Sequence, residues 1–192
     1  MTAVESAQTL RTAFGAVLSG PMEFRGEVTL QLADAARLAE VCAHAKDSLG
    51  FDFLTDITAI DNLGEAPRFT LVYELYNMRH GCRLRLKAAV AEEQGEVPTV
   101  CGVWRAAEWH EREIYDMMGL RFAGHPDLRR ILMWEGYPYF PLRKDFPLAG
   151  RPTDVPGVAF TERAPLEGGP FVTAAGGRDT QAREPRVRQS EG

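Results

Sequence analysis

Between Arg68 and Val90 the chain alternates apolar and polar residues twice, around a turn at His80-Gly81. Phe69, Leu71, Tyr73 and Leu75 alternate with Arg68, Thr70, Glu74 and Tyr76; on the return, Leu84, Leu86, Ala88 and Val90 alternate with Arg83, Arg85 and Lys87. Two is the strand period, so this stretch is a β-hairpin with one face for a core and one for water. Everything else in the chain has to supply what covers that apolar face.

The flanking segments do so. Ala7, Leu10, Phe14, Val17 and Leu18 recur at helical steps up to Gly20-Pro21, which predicts an amphipathic helix. Phe24, Val28, Leu30 and Leu32 then face away from Arg25, Glu27, Thr29 and Gln31 along one strand. Asp34 to Leu49 is a second helix burying Leu38, Val41, Cys42, Ala45 and Leu49, with Gly50 placed for a left-handed cap. Phe51 to Ile60 is a strand, Glu92 to Pro98 a loop, and Trp104 to Met118 a third helix ended by Gly119. Helix, strand, helix and three strands in succession predict an α+β two-layer sandwich, a mixed sheet with helices on one face. The expected core domain is 1–148. From 149 to 192 the chain is Pro/Gly-rich, an extended tail that is disordered or wraps partners.

Composition narrows the function. The 192 residues carry 22 Lys+Arg against 27 Asp+Glu, a net charge of −5, which is not the balance of a general nucleic-acid binder. Cys42, Cys82 and Cys101 are too sparse for an iron–sulfur cluster, a closed zinc site or a disulfide framework. No apolar run approaches a membrane span, so contact with a membrane is expected only through partners. Dinucleotide, Walker A and G-x-S-x-G motifs are absent.

The densest chemistry lies in Trp109-His110-Glu111-Arg112-Glu113-Ile114-Tyr115-Asp116-Met117-Met118-Gly119. Glu113 and Asp116 share a helix face, as an acid/base pair or metal site would require, and Arg112 can reach Asp116 at i,i+4. Ile114 stands where H-E-x-x-H needs its second His, and Asp116 where a di-iron helix needs His. The plainer reading, a solvated face with internal ion pairs, is preferred. After it come His125, Asp127, Arg129 and Arg130, then Arg143-Lys144-Asp145. These arginines could form an anion site, or pair with Glu111, Glu113 and Asp116 and pin the loop to the helix; the second is preferred. Trp104, Trp109 and Trp134 read as packing residues, and no cysteine accompanies His110 or His125 at ligand spacing.

The run Glu111-Arg112-Glu113 through Asp116, followed by His125-Pro126-Asp127-Leu128 and Arg129-Arg130, resembles the signature of the thirty-kilodalton subunit family of respiratory complex I, the NADH:quinone oxidoreductase. Phe53 to Ile57, the Tyr73 to Leu86 hairpin and Pro141 to Leu148 extend the likeness over about 51–148. The resemblance implies a peripheral-arm subunit of a proton-translocating enzyme, on the cytoplasmic side of the bacterial inner membrane. It implies no active site or cofactor in this chain; NADH, FMN, iron–sulfur clusters and quinone would sit on partner subunits. The partners implied are hydrophilic-arm subunits, chiefly the large quinone-pocket subunit and neighbouring iron–sulfur subunits. Glu111, Arg112, Glu113, Asp116, His125, Asp127, Arg129, Arg130 and Arg143 would be structural and interface residues. The alternatives are the equivalent subunit of a membrane-bound hydrogenase or ferredoxin-linked quinone reductase, and a free-standing hydrolase or lyase using Glu113, Asp116 and Arg129.

Overall fold

The computed structural model describes residues 1–93, 95–148 and 150–151. The chain divides into two units, Met1–Asp145 and Phe146–Gly192. Apart from Gly150 and Arg151, the tail expected over 149–192 lies outside the described residues.

Helix α1, Ala3–Phe14, opens on a capping box: the Glu5 amide donates to Thr2 Oγ1 at 3.2 Å and the Thr2 amide to Glu5 Oε2 at 2.9 Å, two otherwise orphaned donors satisfied reciprocally. It stops earlier than its apolar periodicity predicts, because Gly15 turns to a φ of 57° and a 3-10 turn, Gly15–Val17, follows. The single strand expected from Phe24 to Leu32 is a hairpin, β1 Met22–Phe24 and β2 Glu27–Leu32. Arg25 and Gly26 both have positive φ, 53° and 79°, the backbone that a tight two-residue hairpin turn demands.

A 3-10 turn, Ala35–Arg37, capped by Asp34, leads into α2, Leu38–Leu49, and Gly50 takes the predicted left-handed cap with φ 75° and ψ 27°. Strands β3 Phe53–Asp61, β4 Phe69–Asn77 and β5 Cys82–Val90 follow. The sheet order is β1-β2-β5-β4-β3, antiparallel except for the parallel β2–β5 pair. Register lines up the core in rows across four strands. Leu30, Leu86, Tyr73 and Ile57 form one row; Leu32, Ala88, Leu71 and Ala59 form another. Onto this face pack Ala7 and Leu10 of α1 and Leu38, Val41, Cys42 and Ala45 of α2, in one continuous core. The other face carries Arg85, which pairs with Glu27 at 2.8 Å and with Glu74. The architecture is the α+β layer expected, with a mixed sheet.

The chain then adds something that periodicity did not reveal. Glu96–Pro98 and Arg121–Ala123 are short strands, β6 and β7, paired in parallel, where the sequence predicted only loop and turns. Between them runs α3, Ala107–Met118, starting later than Trp104 and ending at Gly119 with φ 79°. Its Ala107 and Ile114 join the same core. Among the described residues, no helix is long and apolar enough to cross a membrane.

Candidate functional site

Helix α3 buries two carboxylates that leave it in different directions. Glu111 and Asp116 are both 0% exposed. Glu111 is held by the segment after β6: Oε1 accepts from the Val100 amide at 2.8 Å, Oε2 from Thr99 Oγ1 at 2.5 Å and from the Cys101 thiol at 3.4 Å. Burial pushes this carboxyl above the usual range despite those donors, because loss of water disfavours the charged form. The same burial lifts the Cys101 thiol to about 11.

Asp116 is treated differently. Its Oδ2 accepts three successive backbone amides, Ile131 at 3.0 Å, Leu132 at 2.7 Å and Met133 at 2.8 Å, and its Oδ1 takes Arg130 Nη1 at 2.5 Å. Burial alone would raise its pKa; the Met133 amide, Arg130 and the Ile131 and Leu132 amides outweigh that and hold it below the usual range. Arg130 also donates to the Asp116 and Tyr139 carbonyls and lies over the Tyr137 and Phe140 rings.

Arg112 does not make the expected i,i+4 pair with Asp116. Its guanidinium donates to the carbonyls of Arg129 and Arg130, each at 3.2 Å, and lies over the Trp109 ring. The 129–133 loop is thus gripped by its carbonyls through Arg112 and by its amides through Asp116. This is the pinning expected from the charge pattern, achieved mostly through backbone. Glu111 takes no arginine, and Glu113 is exposed with no hydrogen-bond or ion-pair partner among the described residues. The expected pairing of all three acids therefore holds for Asp116 only. Trp109, expected to pack, is 59% exposed.

His125 bridges the turn after β7. Nδ1 accepts from the Asp127 amide at 3.0 Å and Nε2 meets the Glu108 carbonyl at 3.1 Å, which fixes the Nε2–H tautomer. Among the described residues the Arg129 side chain reaches only Asp127, at 2.8 Å on an exposed surface. It does not join Glu113 and Asp116, so the three residues of the hydrolase alternative do not converge. Folding does bring Cys101, Glu111 and His125 within 4.8 Å of one another, a grouping that sequence spacing missed. Each member is already engaged: the thiol donates to Glu111, both Glu111 oxygens accept, and both His125 nitrogens are bonded. A cation would have to break this network, so it reads as a hydrogen-bonded brace.

Arg143 closes the end of α3. It donates to the Met118 carbonyl at 2.6 Å and to Glu92 at 3.2 Å, and lies over the Phe140 and Phe69 rings. Beside it is an ion network that the sequence did not announce. Arg68 holds Asp61 through two bonds of 2.8 Å, Glu92 at 2.9 Å and Asp145 at 2.9 Å, and the Lys144 amide adds a further link to Asp61. Arg68 keeps the Asp61 carboxyl below its usual range. Taken one strand at a time, Arg68 is only a polar position and Asp61 a turn residue; nothing local gives their pairing away.

Residues 32–152 match the family described as respiratory-chain NADH dehydrogenase, 30 Kd subunit. The C subunit of NADH-quinone oxidoreductase from Geotalea uraniireducens (strain Rf4) is 47% identical over 141 residues, 73% of this chain and 85% of that protein. Among solved structures, a trypsin-resistant fragment (1–134) of Nqo5 superposes with a TM-score of 0.56 at 34% identity, covering 63% of this chain and 97% of the fragment. A chain of a membrane-bound sulfane sulfur reductase, an archaeal respiratory membrane complex, superposes with a TM-score of 0.66 at 23% identity over 75% of this chain and 85% of its own. That likeness bears on the fold alone.

Proposed function

The chain belongs to the 30 kDa subunit family of the respiratory-chain NADH dehydrogenase, and from that premise we propose that it is a non-catalytic peripheral-arm subunit of a proton-translocating NADH:quinone oxidoreductase. Its share is to hold the quinone-end module against the large quinone-pocket subunit, with iron–sulfur subunits as neighbours. NADH, FMN, the clusters and quinone bind those partners. The chain lies on the cytoplasmic side of a bacterial inner membrane and meets the membrane only through them.

One observation carries this reading: the acidic and basic groups around α3 are spent on fixing backbone. Asp116 takes four donors from the 129–133 segment, and a carboxylate so occupied and 0% exposed is not presented to a substrate. A general base must be held within reach of the proton it abstracts, and exposed Glu113 has no hydrogen-bond partner among the described residues to orient it. Buried charges kept in this way specify one arrangement of a loop, which suits a surface that other subunits build on.

The test is affinity purification of the full chain from its native membranes with mass spectrometry of what accompanies it. Recovery of NADH-oxidising, iron–sulfur and quinone-pocket subunits is expected. Recovery with a nickel-binding hydrogenase subunit or a ferredoxin-linked reductase would move the chain to a sister complex. Recovery alone would overturn both.

A further inference from the structure

Tyr73 stands in the middle of β4, wholly buried on the helix-covered face of the sheet, in the row with Leu30, Leu86 and Ile57. Its Oη is buried too and has no hydrogen-bond partner among the described residues. A buried hydroxyl left unpaired is costly, and native interiors hold very few of them. The groups whose charge reaches this phenol come from three other parts of the chain: Glu111 of α3, Cys42 of α2 and Cys101 after β6. The ring therefore ends against the brace built on Glu111 rather than in a purely apolar part of the core.

That brace has one place left to bond. Glu111 Oε2 takes both Thr99 Oγ1 and the Cys101 thiol, whereas Oε1 takes only the Val100 amide. Each carboxylate oxygen can accept two bonds, so Oε1 keeps an acceptor site while Tyr73 keeps a donor. No direct hydrogen bond joins them. A water molecule suits such a pair, since it accepts from one group and donates to the other, and interior waters sit where buried polar groups would otherwise go unpaired. A cation suits it poorly, because burial holds the Tyr73 phenol and the Cys42 and Cys101 thiols in their protonated forms.

We infer that one internal water molecule bridges Tyr73 Oη to Glu111 Oε1. The bridge carries the brace from α3 into the middle of the sheet. The helix that bears Arg112 and Asp116 is then tied to the core by hydrogen bonds as well as by the packing of Ala107 and Ile114. This site belongs to the chain itself and does not depend on which complex the chain serves.

Oxygen-17 relaxation dispersion of the full chain counts the waters held inside it for longer than its tumbling time. The experiment compares wild type with Tyr73→Phe and adds a urea denaturation curve for each. The variant is expected to hold one such water fewer and to unfold at a lower urea concentration, because the link to Glu111 is lost. Equal water counts would overturn the inference. So would a raised urea midpoint, the response expected on removing a hydroxyl that is buried dry and unpaired. Should the variant not fold, a crystal structure of the wild-type chain decides. Solvent density within hydrogen-bond distance of both Tyr73 Oη and Glu111 Oε1 would uphold the bridge, and a Tyr73 hydroxyl without such density would overturn it.

Discussion

Asp116 and Arg130 meet at 2.5 Å, and the same carboxylate also takes the three amides that follow Arg130. A single fully buried side chain thus converts the chain after His125 from a loop into a fixed surface. The charge matters as much as the shape. An uncharged isostere would leave Arg130, itself largely buried, without its counter-ion.

Asp116→Asn is therefore expected to destabilise the chain by about 3–5 kcal/mol, the usual cost of breaking a buried, hydrogen-bonded ion pair. Urea denaturation of the isolated full chain measures it. A loss under about 1 kcal/mol would contradict the clamp.

Glu111→Gln should behave in the opposite way. Burial opposes the Glu111 charge, and glutamine keeps an acceptor for the Val100 amide, so a change within about 1 kcal/mol at neutral pH is expected. A raised folded pKa makes the wild-type contribution greatest at low pH and smaller as pH rises through that raised value. The variant should gain on wild type as pH increases from 4 to 7. A variant that instead loses ground to wild type over that range would refute the assignment.

Asp61 and Asp116 carry the reverse sign. Arg68 lowers the first; for the second, burial pushes upward and the amides and Arg130 prevail. Their stabilisation is complete above the ordinary aspartate value of about 4 and is lost as pH falls below it toward the folded values. The denaturation midpoint should fall between pH 4 and pH 3, below the range in which Glu111 titrates in favour of the fold. A midpoint that rises across that interval would mean these pairs do not stabilise the fold.

How much of this could be read beforehand depended on the range of the interaction. The Phe69 to Val90 hairpin and the Gly50 cap are local, fixed by alternation and by one residue's backbone freedom, and both were legible. The Arg25-Gly26 turn was hidden because arginine is an unusual occupant of a positive-φ position. Strands β6 and β7 are three residues each, too short for a period. At the candidate site, the sequence offered Asp116 both Arg112, at i,i+4, and the later arginines pinning the loop to the helix; Arg130 makes that second pairing and Arg112 does not make the first. The three amides that join Arg130 on Asp116 carry no side-chain signal, so only tertiary structure delivers them.

Gly119→Ala tests how closely that later segment approaches. A Cβ there would lie 2.7 Å from the Phe140 ring and 2.9 Å from Arg143, on a backbone with φ of 79°. Overpacking and left-handed strain together should cost about 2 kcal/mol or more. A melting temperature unchanged from wild type would show that Phe140 and Arg143 yield freely.

Cys101 gives a chemical readout of the Glu111 brace. With its thiol lifted from an ordinary 9.0 to about 11, alkylation by iodoacetamide at pH 8 should run about 100-fold slower in the fold than after denaturation, in proportion to thiolate. Comparable rates in the two states would mean that the thiol is not buried against Glu111 as the fold places it.

On the proposed subunit role, the charges of α3 build the chain and attach it to its neighbours and take no part in the chemistry. The most direct measurement is NADH:quinone turnover per assembled complex in Glu111→Gln and Glu113→Gln, with assembly quantified on the same preparations. Turnover per complex is expected to equal wild type, with any lost activity matched by lost assembly. Complexes that assemble fully but no longer reduce quinone would contradict it.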